Sequence, residues 1–194
     1  MSRGLILASS SRYRAELLSR LGLPFERRRP DVDETPRPDE DAEALVARLA
    51  RSKAEAVAGG FPGALVIGSD QAAASGGKIL GKPGTAARAR EQLVDLSGRY
   101  VTFFTSVYLL DAGCGQCRLA VVPTRVRFRT LSSAEIERYV AREQPLDCAG
   151  AFKSEGLGIA LFDAIDSEDP TALIGLPLIA LCRMLREAGV EVIT

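Results

Sequence analysis

The chain has 194 residues, 46% apolar and 26% charged, which is long enough to bury a core and too apolar for a disordered or fibrous protein. Twenty-five Lys and Arg balance twenty-five Asp and Glu, so bulk charge draws it to neither nucleic acid nor a membrane surface. It has no histidine, which excludes Ser-His-Asp and Cys-His catalysis and His-ligated metals. Carboxylates, lysines, arginines, hydroxyls or a hard oxygen-bound cation such as Mg²⁺ or Mn²⁺ remain.

The first apolar run is too short for a signal-peptide core or a membrane span, and no later run is long enough, so a cytoplasmic location is expected. Residues 4–8 (GLILA) read as a short strand. Ser9, Ser10 and Ser11 then cap a helix from Arg12, with Leu17, Leu18 and Leu21 on one side and Gly22 at its stop. A strand, a serine turn and a helix N-terminus together suit an anion. Arg14 sits in the first turn, where a cation opposes the helix dipole. An anion nearby explains it better than a solvated surface position.

Residues 24–28 read as a second strand. Residues 30–40 form a proline- and acid-rich segment, either a solvated loop with a helix starting near Pro38 or Asp39, or a source of a metal ligand in Asp33 or Glu34. From Ala42, the spacing of Leu45, Val46, Leu49, Ala50, Ala54 and Val57 is helical. By that spacing Lys53 faces solvent. Residues 65–83 read LVIGSDQAAASGGKILGKP. Leu65, Val66 and Ile67 make a buried strand that ends in small residues and presents Asp70. After a turn at Gly76 and Gly77 and the apolar pair Ile79 and Leu80, Lys82 stands between Gly81 and Pro83. An acid at the end of one strand and a lysine at the end of the next segment suit a metal-bound phosphate.

Thr85 caps a helix carrying Ala89, Leu93 and Leu96, stopped by Gly98. Residues 101–110 and 118–129 read as two strands joined by DAGCGQC, the second with one wet face late on. Cys114 and Cys117 form a CxxC without a second CxxC or a histidine, and read as structural or incidental rather than as a redox or zinc site. Ser132 and Glu135 have capping-box spacing ahead of Ile136, Tyr139 and Val140. Residues 145–158 are glycine-rich around Lys153 and Glu155, marking a tight turn or a close approach of backbone to a ligand. Residues 159–165 read as a strand and 166–170 as an acidic loop. Pro177 opens a last helix through Leu178, Leu181 and Leu185, and residues 190–193 read as a final strand. With no repeat or linker, residues 1–194 read as one α/β domain with an elongated mixed sheet.

ILASSSRYRAELLSRLGLPFE, DVDE, VARLARSKAEAV, VIGSDQ, GKP, AGAFKSEGLGI and IGLPL occur in that order over nearly the whole chain. Together they resemble the Maf-like nucleotide pyrophosphatases. The similarity is greatest to the branch acting on 7-methyl-GTP. The branch preferring dTTP and UTP has S-P-R-R, A-D-T and Y-G-I-Q-G where this chain has SRYR, SDQ and FKSEG. The resemblance implies a Maf/ITPase-like fold, an elongated mixed sheet flanked by helices with a cleft between two lobes. It also implies hydrolysis of a nucleoside triphosphate to monophosphate and pyrophosphate with Mg²⁺ or Mn²⁺, and it suggests a homodimer. Nucleic acid and membrane are not expected partners.

Carried onto this chain, Asp70 is the general base or the ligand of the attacking water. Ser9, Ser11, Arg14, Lys53 and Lys82 bind phosphate, and Glu34 joins Asp70 at the metal. The family usually has a proline before, and a second arginine beside, the first-turn arginine; here Arg12, Tyr13, Arg14 and Ala15 stand there. Tyr13 can stack on the cationic ring of a 7-methylated guanine. Glu155 can accept hydrogen bonds from its N1–H and exocyclic amine. Gln71 can complete recognition of the base edge or orient Asp70. A pyrimidine-selective pyrophosphatase and a non-catalytic nucleotide-binding regulator of cell division are the alternatives.

Overall fold

The computed structural model describes residues 3–154 and 156–193. Within these residues seven strands form one mixed sheet: β1 (Leu5–Ala8), β2 (Glu26–Arg28), β3 (Leu65–Ser75), β4 (Lys78–Leu80), β5 (Tyr100–Asp111), β6 (Cys117–Phe128) and β7 (Phe162–Ser167). The order is β2-β1-β3-β5-β6-β7, with β4 on β3. β2, β1 and β3 are parallel; every later pairing is antiparallel. Among the described residues five α-helices accompany them: α1 (Arg12–Ser19), α2 (Ala42–Ala58), α3 (Ala86–Leu96), α4 (Ser133–Glu143) and α5 (Leu178–Glu187).

The continuous apolar runs of β1 and β3 have the form of strands covered on both faces. Alternate residues serve opposite sides. Leu5, Leu7, Leu65 and Ile67 pack with α1 and α5 through Leu17, Leu18, Leu181 and Leu185. Ile6, Ala8 and Val66 pack with Ala50, Ala54 and Val57 of α2. At the far end α3, α4 and the end of β6 enclose a separate core. There Phe103, Phe128, Phe152 and Phe162 meet edge to face at 4.8–5.7 Å between ring centroids.

Ser11 caps α1 by accepting from the Arg14 N–H, and Thr85 caps α3. Ser132 and Glu135 complete the expected capping box of α4. The start of α2 lies later than Pro38 or Asp39: Asp41 is the cap, because its carboxylate reaches the Ala44 N–H at 2.8 Å. β3 does not stop at Asp70 as expected but continues to Ser75, since β5 pairs with it as far as Ala74. Residues 157–161 turn as a 3₁₀ segment before β7 begins at Phe162. Residues 190–193, expected as a strand, are irregular; Val190 and Val192 instead pack on the core under α5. No helix among the described residues is long and apolar enough to cross a membrane.

Candidate active site

Only one edge of β3 is paired along its length. β5 accompanies it from Leu65 to Ala74. On the other edge β1 stops at Ile67 and β4 begins at Ala73, so residues 68–72 have no strand beside them there among the described residues. A cleft of about 940 Å³ lies at this gap, lined by Asp70 and Gln71 from β3 and by Ser9, Ser11 and Arg14 from the β1–α1 turn. Lys53 of α2, Lys82 after β4 and Glu34 from the loop before α2 line it as well.

Lys53 corrects the solvent-facing reading: it is 4% exposed. Helical spacing marks which side of α2 is apolar, but not that the rim of that side meets a buried carboxylate. The Lys53 Nζ lies 2.6 Å from Asp70 Oδ1 and 2.6 Å from Glu34 Oε1. Asp70 is itself 8% exposed, so the pair is largely shielded from water and an unpartnered charge there is costly. Burial raises the Glu34 carboxyl, but the Lys53 hydrogen bond and the charges of Lys53, Lys82 and Arg14 outweigh it. The net position is below the ordinary carboxylate value. Asp33 goes elsewhere. Its Oδ1 accepts the Thr35 N–H at 2.9 Å in a local turn. The loop is held on α2 by Arg48, which grips Glu40 at 2.6 and 2.7 Å.

Gly68 sets how closely α2 can approach. A Cβ there would fall on the Ala50 carbonyl and crowd the Ala54 N–H. That close approach lets Lys53, one turn beyond Ala50, reach Asp70.

The serine turn is built as expected. Ser9 Oγ accepts the Ser11 N–H at 3.1 Å and Ser11 Oγ accepts the Arg14 N–H at 3.3 Å. Both contacts use hydroxyl lone pairs, which leaves both O–H protons for an anion. Arg14 Nε donates to the Gly175 carbonyl at 2.9 Å. Burial pulls its guanidinium below the ordinary value, and Asp70 and Glu34 oppose that shift.

Gln71 does something the sequence does not reveal. Its Nε2 donates to Thr105 Oγ1 at 2.9 Å and to the Ala172 and Leu173 carbonyls at 3.0 Å each. Ser69 Oγ donates to Gly175 O at 3.0 Å. Together these bonds tie down a shelf, residues 172–175, that forms one wall of the cleft. Gly175 has φ +130°, a conformation that side chains beyond glycine rarely adopt. The amide donors of Gln71 are therefore engaged, and only its oxygen is left to meet a base.

Tyr13 lines the cleft with Arg12 over its ring, 4.9 Å from guanidinium carbon to ring centroid. Glu155 lies outside the described residues. Arg29, Asp31, Asp147 and Lys153 also line the cleft; of these Asp31 is foreshadowed as part of the DVDE motif and Lys153 as a charge within the glycine-rich loop. Cys114 and Cys117 are exposed and free. Among the described residues no three His, Cys, Asp or Glu are grouped to hold a metal.

The Maf-like protein family model matches residues 4–188. The chain belongs to that family. Proteins named 7-methyl-GTP pyrophosphatase from Pseudomonas aeruginosa and Aromatoleum aromaticum are 57% and 59% identical to this Maf-like chain. The first match covers 97% of this chain and 98% of the relative, the second 95% of each. The Staphylococcus aureus Ham1 protein has a similar fold, with TM-score 0.53 and 14% identity over 96% of this chain and all of that one.

Proposed function

We propose that the chain hydrolyses 7-methyl-GTP to 7-methyl-GMP and pyrophosphate. The observation that carries the reading is the buried Lys53–Asp70 pair, joined by Glu34, at the open edge of β3 within a cation-lined cleft. Relatives of this identity carrying that activity in their names support it.

The reaction needs a water oriented at the α-phosphorus and compensation for the charge that builds on the phosphoryl and leaving oxygens. Asp70 is the group to orient that water and take its proton as the bond from phosphorus to the bridging oxygen breaks and pyrophosphate departs. Lys53 fixes Asp70 on one side and offers its charge to the phosphates. Arg14, Lys82 and the hydroxyls of Ser9 and Ser11 bind the remaining oxygens.

A divalent cation fits the donor set. Asp70 and Glu34 each use one carboxylate oxygen on Lys53 and keep the other. Two carboxylate oxygens completed by phosphate and water suit Mg²⁺ or Mn²⁺. When bound, the ion neutralises phosphate charge. Chelation is expected to stop pyrophosphate release, and Mg²⁺ or Mn²⁺ to restore it.

Tyr13 offers an aromatic ring in the cleft on which a cationic base can stack in place of Arg12. A methylated guanine stacks there with about 1–2 kcal/mol once desolvated. The Gln71 oxygen is an acceptor suited to guanine N–H donors. A homodimer belongs to the same proposal, and sedimentation tests it.

The deciding experiment is a panel of 7-methyl-GTP, GTP, dTTP and UTP, with pyrophosphate and phosphate measured separately. Preference for dTTP or UTP would move the chain to the pyrimidine-selective reading. Release of single phosphates would mean another reaction, and nucleotide binding without turnover would mean a regulator.

A further inference from the structure

Ser106 lies opposite Asp70 in the β3–β5 ladder and is fully buried. It is not part of the cleft wall. Its Oγ accepts the Asp70 N–H at 3.1 Å and lies 2.6 Å from the Val46 carbonyl of α2. The Asp70 carbonyl, at 3.2 Å, is the other acceptor for the same proton. A hydroxyl donates once, and the shorter contact is the stronger one. The result is a chain of two hydrogen bonds from the backbone of Asp70, through Ser106, to the backbone of α2.

Val46 stands two turns before Lys53 on that helix. Gly68 lets α2 come close, because it leaves no side chain between the helix and β3. Ser106 supplies the attraction that holds α2 at that distance, at the very residue that bears the carboxylate. The 2.6 Å contact of Lys53 with Asp70 is made across that same spacing between helix and strand.

We propose that Ser106 is a positioning residue for the hydrolysis, holding Asp70 and α2 in register so that Lys53 and Asp70 meet. The proposal rests on the hydrolase reading above. The test is steady-state kinetics, on the best substrate of the panel, of Ser106→Ala, Ser106→Cys, Asp70→Asn and the Ser106→Ala, Asp70→Asn double variant.

Misplacing a reacting group by about an ångström can cost about a hundredfold. Ser106→Ala is accordingly expected to lower kcat about ten- to a hundredfold while KM stays within about threefold. Ser106→Cys, close in size and a weak donor, is expected to fall between the wild type and Ser106→Ala. The double variant is expected to be no slower than Asp70→Asn alone, because Ser106 acts through Asp70. An unchanged kcat in folded Ser106→Ala overturns the proposal, as does an equal loss in both backgrounds, which would indicate a general packing role. If Ser106→Ala does not fold, an unchanged kcat in Ser106→Cys overturns it. Unchanged turnover in Asp70→Asn would instead overturn the catalytic reading of Asp70 itself.

Discussion

Ser69, Asp70 and Gln71 are consecutive, yet they serve opposite faces of the sheet. Asp70 turns to α2 and meets the charge of Lys53. Ser69 and Gln71 turn to the other side and hold the carbonyls of the 172–175 shelf through neutral hydrogen bonds. Strand alternation thus separates an ionic side chain from two neutral anchors within three residues. The two faces also have different kinds of support. A buried charge pair is costly to break on either side, whereas a net of several neutral bonds loses about 1 kcal/mol for each one removed.

Substitutions can break this comparison, starting with the ionic face. Lys53→Met leaves a buried carboxylate without its partner and removes a charge from the phosphates. It is expected to lower kcat about a thousandfold and stability by about 3 kcal/mol, read by pyrophosphate release and thermal unfolding. A variant with wild-type Tm would mean that the pair is better hydrated than its burial implies.

Gly68→Ala should come next. The added methyl meets the α2 backbone, not a flexible side chain, so overpacking should cost about 2 kcal/mol. That corresponds to roughly 4–8 °C in Tm at this chain length, together with a fall in kcat of about tenfold or more as Lys53 moves off Asp70. A loss of Tm with no loss of kcat would uncouple helix distance from chemistry.

On the uncharged face, Gln71→Ala frees the shelf without touching Asp70. KM is expected to rise about tenfold, the size of one or two lost hydrogen bonds, with kcat changed far less. A fall in kcat at constant KM would place Gln71 with Asp70 in the chemistry and erase the division between the faces.

The smallest effect lies outside the cleft and calibrates the others. The Glu135 carboxyl is lowered to about 2 by the Ser132 backbone N–H, then the Ser132 hydroxyl and Arg129. Because the folded value lies below the ordinary one of 4.5, its stabilisation is present at neutral pH and is lost as pH falls through about 2. The Tm of Glu135→Gln should therefore lie slightly below that of the wild type above pH 5, the gap closing toward pH 2. A gap independent of pH would mean that the cap does not depend on the carboxylate charge.

Much of this arrangement is legible along the chain because its signals are local. Ser11, Thr85 and Ser132 cap the helices that their positions announce. The apolar runs of β1 and β3 announce strands covered on both faces. The family resemblance carried by the motifs implies one site for Asp70, Arg14, Lys53 and Lys82, and all four line the cleft. Other features are not legible, because they depend on distance across the fold. Lys53 looks solvated until α2 is placed against β3. Which atom of Gln71 is left for a base is hidden until the shelf, a hundred residues later in the chain, takes its amide protons. Ser106 has no local mark at all: a serine within an apolar strand is unremarkable until its two backbone partners are known. Arg29 belongs to a run of arginines, and nothing in the run distinguishes the one that lines the cleft.

Residue types alone restricted the chemistry to oxygen and nitrogen groups without histidine, and periodicity with capping laid out most of the strands and helices, since both depend on neighbours a few bonds away. The position of the site was decided by the folded sheet. β1 ends six residues before β4 begins on the same edge of β3, and the carboxylate of Asp70 lies in that gap beneath a helix that Gly68 lets come close. Lys53 and Asp70, distant in sequence, become a shielded pair only when α2 packs on β3, and that is a property of the assembled core.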